Sequence, residues 1–260
     1  MITLVGKAWV FYRDMEGYQV KERIEALFDF SNYDVLSFDC YGTLIDWEGG
    51  ITAALMPVLA ARNIDLSDED ILKLYADAEP RAQQEGEFLM YREVLRRVMR
   101  EIASALDFEP SPSETDCLAD SIKDWMPFPD TVAALRAMKR QYRLAIISNV
   151  DDDLFAGSAK RLEVEFDWVI TSQQVGSYKP SQANFEFAIE KMGVAPERLL
   201  HIAQSVYHDI VPAKAMGLTS VWVNRGAGKE GGGATPPANA QPDLKVPDLK
   251  ALITMMGLDS

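Results

Sequence analysis

The feature that most constrains the fold is a series of apolar runs of strand length, separated by segments of helix length. The strand-like runs lie at residues 33–38, 142–147, 168–170, 199–203 and 218–223. Between the later runs, helical spacing covers residues 131–140, 153–162, 182–192 and about 209–216. Strands joined by helices of this length pair in parallel through right-handed crossovers. The sequence therefore predicts an α/β fold with a doubly wound, Rossmann-like parallel sheet.

Polar side chains lie just beyond these runs, and they form a candidate site. They are Asp39 and Thr43, Ser148 and Asn149, Lys179, and Asp209. Because the carboxyl ends of parallel strands share one edge of a sheet, these side chains are expected to converge. A lysine near two carboxylates keeps them ionised and can orient one of them as a nucleophile. Taken alone, Asp39 would more commonly cap the turn near Gly42, but convergence of the set favours catalysis.

A helical segment separates the first strand from the rest of the sheet. From Ile51 to about Met126, apolar residues recur at three- and four-residue spacing, and prolines at 127 and 129 mark the return. We therefore predict a helical cap domain over residues 51–126 and an α/β core domain over residues 33–50 and 127–260. Residues 1–32 are predicted to be an N-terminal extension, either a packed helix or a poorly ordered segment.

Composition excludes several classes of function. The formal net charge of −14 argues against a nucleic-acid partner, because binding phosphates requires clustered Lys and Arg. The two cysteines, Cys40 and Cys117, are far apart and indicate neither a disulfide framework nor a zinc site. The sequence shows no run long and apolar enough for a membrane span and no secretion-signal pattern, so we expect a soluble cytoplasmic protein.

Other candidate motifs carry weaker signals. The glycine-rich segment 226–233 is not predicted to bind phosphate, because no helix and no Ser or Thr follows its lysine. Residues 226–243 are interpreted as a flexible surface loop, and residues 246–257 as one last strand or helix. His201, inside an apolar strand, is interpreted as a core histidine, and His208 as either a surface residue or a substrate contact.

Four motifs together resemble a known family. Phe38–Asp46, Ser148–Asn149, Lys179–Pro180 and Asp209 stand in the order found in the haloacid dehalogenase superfamily, and the first of them is most similar to its L-2-haloacid dehalogenase branch. The resemblance covers about residues 33–225. It implies a Rossmann-like core, a helical cap that closes over the cleft, and covalent catalysis through Asp39.

Two positions separate the branches of this superfamily. Tyr41 stands where its phosphatases place a second aspartate, the general acid that an alkoxide leaving group needs and a halide does not. Gln204 stands where the phosphatases place a magnesium-binding aspartate, and a hard cation prefers carboxylates. Both positions favour a metal-independent dehalogenase that uses no cofactor.

The resemblance also implies a role for each site residue. Asp39 would displace a halide from a small anionic 2-halo acid to form an ester, which water then hydrolyses. Lys179 would pair with Asp39, Asp209 would position Lys179 and the water, and the substrate would contact Thr43, Ser148, Asn149 and Tyr41. The cap arginine that holds the halide in relatives has no clear counterpart, although Arg81 or Arg92 could replace it from a neighbouring turn.

Two other functions and one assembly remain open at this stage. The fold also suits a phosphatase that uses Mg²⁺ to hydrolyse a small phosphomonoester, and it suits a binding protein without catalytic activity. The intact set of Asp39, Lys179 and Asp209 argues against loss of catalysis. The sequence leaves open a homodimer.

Overall fold

The fold is built on a six-stranded parallel sheet with the strand order β3-β2-β1-β4-β5-β6. The computed structural model describes residues 28–84, 87–226 and 238–258. The strands are β1 (Val35–Phe38), β2 (Arg143–Ser148), β3 (Trp168–Thr171), β4 (Leu199–Ala203), β5 (Thr219–Val223) and β6 (Leu244–Val246). The predicted doubly wound sheet is therefore confirmed.

Helices flank this sheet along the chain. They are α1 (Trp47–Ala60), α2 (Asp68–Gln84), α3 (Tyr91–Ala105), α4 (Pro112–Thr115), α5 (Cys117–Ser121), α6 (Thr131–Lys139), α7 (Asp152–Leu162), α8 (Ser172–Val175), α9 (Ala183–Met192), α10 (Val211–Ala215) and α11 (Leu249–Met255). Short 3-10 turns occur at Phe30–Asn32, Ile122–Asp124 and Pro196–Arg198. No helix among the described residues is both long and apolar enough to cross a membrane.

Strand β1 lies at the centre of the sheet, between β2 and β4. Every residue of β1 is buried, because helices cover both faces of a parallel sheet. The register pairs Phe38 with Ile146 of β2 and with Ile202 of β4, so these three strands end at nearly the same level. The chain runs from β1 to β2 and β3 on one side and then crosses back to β4 on the other side of β1. This reversal of strand order between β1 and β4 opens a crevice at the carboxyl edge of the sheet.

The helices from α1 to α5, together with the 3-10 turn that follows them, form what we call the helical insertion, residues 47–124. Within it, α3 is clearly amphipathic and buries one side through Val94, Leu95, Val98 and Ile102. The insertion lies between β1 and β2 in the chain, as predicted, but α1 begins at Trp47 rather than at residue 51. The division into a cap domain and a core domain stays a prediction.

One contact ties the helical insertion to the sheet. Asp151 follows β2, and its carboxylate oxygens accept hydrogen bonds from the backbone N–H groups of Tyr91 (2.8 Å) and Arg92 (2.9 Å) at the start of α3. These groups have no partner within the helix, and the helix dipole favours a negative charge there. Asp151 is almost fully buried. The loop after β2 therefore caps a helix of the insertion.

The structure differs from the sequence-based expectations at three places. The predicted helix at residues 209–216 is a wide π-type turn, Val206–Ile210, followed by the short helix α10. The tail contains both a strand, β6, and a helix, α11, instead of one or the other. Residues 238–243 of the predicted loop lead into β6, whereas residues 227–237, like most of the predicted N-terminal extension, lie outside the described residues.

Candidate active site

The candidate site begins in the turn that follows β1. Asp39 is the first residue after the strand, and its backbone N–H still donates to the carbonyl of Ile202 (3.2 Å). The chain then reverses through Gly42, whose φ of +93° favours glycine. A side chain there would also place its Cβ 2.9 Å from the indole nitrogen of Trp47. The turn therefore holds the Asp39 carboxylate at the edge of the sheet.

Lys179 connects the two acidic residues of the site. Its Nζ lies 2.9 Å from Asp39 Oδ1 and 2.6 Å from Asp209 Oδ1, and it also donates to the carbonyl of Ile147 (2.9 Å). Three acceptors thus satisfy its three N–H donors. Asp209 is fully buried, Lys179 is 1% exposed and Asp39 is 7% exposed. A buried ammonium group held this way fixes the orientation of both carboxylates.

Asp39, Lys179 and Asp209 form what we call the triad, and burial and charge together determine their pKa values. Burial raises the pKa of Asp39, and the Lys179 ammonium opposes that shift. Burial alone would also raise the pKa of Asp209, but the ammonium and a hydrogen bond from His201 leave it below its usual value. For Lys179, the two carboxylates outweigh burial and raise the pKa. The arrangement therefore keeps Lys179 protonated and Asp209 ionised.

Asn149 and Thr43 each hydrogen-bond to a different member of the triad. The side-chain amide of Asn149 accepts from Lys179 N (2.7 Å) and donates to Lys179 O (3.0 Å), so it holds the backbone of the lysine. The Thr43 hydroxyl donates to Asp39 Oδ2 (2.8 Å) and accepts from the N–H of Gln204 (2.8 Å). Both residues therefore act on the triad itself.

His201 is a member of the site that the sequence-based interpretation left in the core. It is fully buried in β4, as predicted, but its Nε2 lies 3.0 Å from Asp209 Oδ1 and its Nδ1 lies 2.9 Å from the Ser37 hydroxyl. It therefore links Asp209 to the centre of the sheet. A polar residue in an apolar strand, paired in register with Ser37 of β1, was the available signal.

A cavity of about 50 Å³ lies beside Asp39, Lys179 and Asp209. Twelve residues from the sheet edge and the helical insertion line it: Asp39, Tyr41, Trp47, Glu79, Tyr91, Ser148, Asn149, Lys179, Gln204, Ser205, His208 and Asp209. Within the described part of the chain, the buried Ser148 Oγ and Asp209 Oδ2 have no hydrogen-bond partner. A ligand or water in the cavity could satisfy these atoms, since buried polar groups rarely stay unpaired.

The side chains of Tyr41 and His208 in this cavity are both uncharged at neutral pH. Tyr41 has its hydroxyl 2.9 Å from Ser158 Oγ, and burial raises its pKa well above the usual value. His208 is held by Ser205, and burial lowers its pKa to about 4. Neither carries a charge at neutral pH. Tyr41 therefore brings no readily lost proton to the cavity.

The two candidate arginines lie away from the cavity. The Arg81 side chain is 60% exposed and its Nη2 lies 2.8 Å from Glu101 on α3. The Arg92 guanidinium pairs with Asp120 (2.8 Å) and Asp153 (3.4 Å). The structure therefore does not bring Arg81 together with the other predicted site residues. The spacing of residues in the sequence could not show that Arg81 points away from the cavity. Which residues of a helix are exposed depends on which of its faces packs inward.

Glu79 is a cavity residue that sequence reasoning missed. It lies on α2 and is 8% exposed, and burial raises its pKa from 4.5 to about 7. Tyr91 OH lies 3.5 Å from its Oε1, and Gln83 Nε2 donates to the same oxygen. The signal was its place four residues after Tyr75 and eight after Ile71, both of which are buried.

The donor set does not suit a magnesium ion. The ammonium of Lys179 occupies the space between the two carboxylates, and Gln204 supplies an amide where Mg²⁺ would favour a carboxylate. In the ranges that the structure describes, no group of three or more His, Cys, Asp or Glu residues is arranged to hold a metal. We therefore assign no reaction step to a metal.

Comparison with known proteins identifies the family of this chain. A family model described as haloacid dehalogenase-like hydrolase matches residues 33–217. Haloacetate dehalogenase H-2 of Moraxella sp. (strain B) is 26% identical over 238 residues, covering 86% of this chain and 98% of that protein. The glyceraldehyde 3-phosphate phosphatase of Methanothermobacter thermautotrophicus is 37% identical over 101 residues, which cover 38% of this chain and 45% of that protein.

A solved structure shares the fold. The crystal structure of a defluorinating L-2-haloacid dehalogenase superposes with a TM-score of 0.74 at 22% identity, covering 88% of this chain and 96% of that one. The family model spans the chain from the start of β1 to the turn that precedes β5. The chain therefore belongs to the haloacid dehalogenase-like hydrolases.

Proposed function

We propose that this protein is a metal-independent hydrolytic dehalogenase of short 2-halo carboxylic acids, acting through an ester of Asp39. The observation that carries the proposal is the position of the Lys179 ammonium, 2.9 Å from Asp39 and 2.6 Å from Asp209, beside a small cavity. Tyr41 supports it, because a halide leaves without the proton that a phosphatase general acid would supply.

In the first step, an oxygen of Asp39 attacks the substrate carbon that bears the halogen. A carbon–oxygen bond forms, the carbon–halogen bond breaks, and its electron pair leaves with the halide. Both oxygens of Asp39 are oriented, Oδ1 by Lys179 and Oδ2 by Thr43. Holding a nucleophile in one geometry supplies much of the rate enhancement of such a displacement.

In the second step, water attacks the carbonyl carbon of the Asp39 ester. Asp209 is suited to accept a hydrogen bond from that water, because its Oδ1 is taken by Lys179 and His201 while its Oδ2 has no partner among the described residues. The bond between the carbonyl carbon and the substrate oxygen then breaks, and one proton of the water passes to that oxygen to give the 2-hydroxy acid. The other proton is released to solvent, and Asp39 returns to its carboxylate.

The cavity suits a small substrate. A cavity needs at least about 10–15 Å³ to hold one water, so about 50 Å³ has room for about three to five atoms of that size. A haloacetate has five. The unpartnered Ser148 hydroxyl is positioned to bind its carboxylate, with the side chain of Asn149 already used by Lys179.

An isotope experiment tests the covalent step. A single turnover of chloroacetate in water enriched in heavy oxygen should place the label in Asp39, because water attacks the ester at the carboxyl carbon of the protein. Label found only in the glycolate product would refute the ester. Asp39→Asn should lower turnover by roughly a thousandfold or more and leave the circular dichroism spectrum unchanged.

A magnesium-dependent phosphatase is the second candidate, since a phosphatase of 37% identity matches part of the chain. The two candidates predict different requirements. Halide release from chloroacetate or 2-chloropropionate that survives EDTA supports the dehalogenase. Phosphate release from a generic phosphomonoester that requires Mg²⁺ supports the phosphatase, and inactivity in both assays would leave a binding protein.

A further inference from the structure

Glu79 forms part of the cavity wall that faces the sheet edge. Three lining residues come from the helical insertion: Trp47, Glu79 and Tyr91. Asp39, by contrast, extends from the end of β1. In a displacement at carbon, the leaving group departs on the side opposite the attacking oxygen. For a substrate held between Asp39 and these three residues, the halide departs toward the wall that the insertion contributes.

Glu79 is the acidic group of that wall, and its surroundings favour its neutral form. It is buried at 8% exposure, and its hydrogen bonds from Tyr91 and Gln83 both reach Oε1, so Oε2 takes part in neither. Among the described residues that line the cavity, Lys179 is the one group that is cationic at neutral pH, and Asp39 and Asp209 surround its ammonium. Burial accordingly raises the pKa of Glu79 to about 7.

The charge of the cavity makes this protonation state decisive for an anion. Asp39 and Asp209 contribute two negative charges and Lys179 one positive charge. An ionised Glu79 would add a third negative charge to a small buried space, where like charges repel strongly. A neutral Glu79 removes that charge and offers an O–H donor instead.

We propose that Glu79, as a neutral carboxylic acid, donates a hydrogen bond to the leaving halide, an inference that rests on the proposed function. The electron pair of the breaking carbon–halogen bond goes to the halide, which accepts the hydrogen bond. The proton stays on Glu79, because hydrogen halides are stronger acids than a carboxylic acid of this kind. In this chain the carboxyl group replaces an arginine as the halide donor, and Arg81 lies outside the cavity.

Other ionisable groups near Glu79 must be considered in any pH experiment. On α2 and α3 they are Tyr75 and Tyr91, and Tyr178 interacts with Glu79 from outside the cavity lining. Lining the cavity itself are Asp39, Tyr41, Lys179, His208 and Asp209. Burial raises the pKa values of the four tyrosines and lowers that of His208 to about 4. A comparison of wild type with Glu79→Gln isolates Glu79, because the variant retains all of these other groups.

Halide binding to the resting protein tests the proposal without requiring turnover. Broadening of the bromide NMR signal should fall roughly tenfold between pH 6 and pH 8 in the wild type, following the neutral fraction of an acid with a pKa of about 7. Glu79→Gln keeps an N–H donor and should bind bromide equally at both values. No broadening in the wild type, or an equal pH dependence in the variant, would overturn the proposal.

Comparing kcat/KM across a series of haloacetates provides a readout that a purely structural role of Glu79 would not change. Fluoride needs the strongest hydrogen bond, so Glu79→Leu should lower kcat/KM for fluoroacetate at least tenfold more than for bromoacetate at pH 6. Glu69→Gln, at an exposed glutamate of the same helix, is the control. Equal losses across the series would overturn the role of Glu79, whereas absence of halide release from the wild type would overturn the proposed function.

Discussion

The buried carboxyl group of Glu79 should make the stability of the protein depend on pH, and Glu79→Gln should remove that dependence. Glutamine has nearly the same shape as a protonated glutamic acid but cannot ionise. Burial raises the pKa of Glu79 from 4.5 to about 7, so the folded protein holds this proton more tightly than the unfolded chain does. The stability that protonated Glu79 contributes is therefore lost as pH rises through this window.

The size of the effect follows from the shift. The difference between 4.5 and about 7 corresponds to about 3 kcal/mol at 1.36 kcal/mol per pKa unit. Below pH 4.5 the group is protonated in both states, and the variant gains almost nothing. At pH 5 the expected gain is about 1 kcal/mol, and above pH 7 it reaches its full value of about 3 kcal/mol.

Urea unfolding at pH 5 and pH 8, followed by circular dichroism, measures this gain. With a slope of about 3 kcal/mol per molar urea, Glu79→Gln should raise the unfolding midpoint by about 1 M relative to the wild type at pH 8. Titrations shared by the two proteins cancel in the difference. Glu69→Gln, exposed on the same helix, should change stability by no more than about 0.5 kcal/mol.

A gain that is the same at both pH values would contradict the reasoning, because it would mean that the two states ionise Glu79 alike. A loss of stability at pH 8 would contradict it more strongly. That result would require a favourable partner for the ionised carboxylate, and the hydrogen bonds from Tyr91 and Gln83 would then outweigh burial.

Three further substitutions test the supporting structure. Lys179→Met should lower the free energy of unfolding by about 3–5 kcal/mol, because it leaves two buried carboxylates without their counter-charge; an unchanged urea midpoint would show that the carboxylates protonate freely. His201→Leu should cost about 1–3 kcal/mol and lower kcat by removing its hydrogen bond to Asp209, whereas a loss of stability with kcat unchanged would limit it to a packing role. Gly42→Ala should destabilise by at least about 1 kcal/mol, because φ is +93° and the new Cβ would lie 2.9 Å from Trp47, and wild-type thermal stability would contradict this.

The convergence of the site residues was predictable from sequence because the sheet imposes it. Parallel strands that end in register bring Asp39, Ser148 and Asp209 to one edge without any knowledge of side-chain packing. Residues placed by a helix were harder to predict. Whether a position on α2 faces the cavity or solvent depends on how that helix packs, so Arg81 was a candidate and Glu79 was not.

The role of His201 was hidden for a different reason. A histidine in an apolar strand was correctly predicted to be in the core, but its hydrogen bond to Asp209 depends on a turn between them. That turn is of the wide π type rather than the predicted regular helix. The wider turn at Val206–Ile210 is not visible in the spacing of apolar residues. The sequence could therefore indicate that His201 is buried, but not that its partner is Asp209.

The cap that Asp151 forms on α3 has a consequence for substrate size. Ser148, on the substrate side of the cavity, and Asp151, which holds the start of the helix that carries Tyr91, belong to one short segment after β2. The short segment after β2 therefore helps to hold the insertion at a fixed distance from the sheet edge. Substitutions inside the cavity can change which leaving group is stabilised. Changes to the segment from Ser148 to Asp151 should instead change the length of substrate that fits.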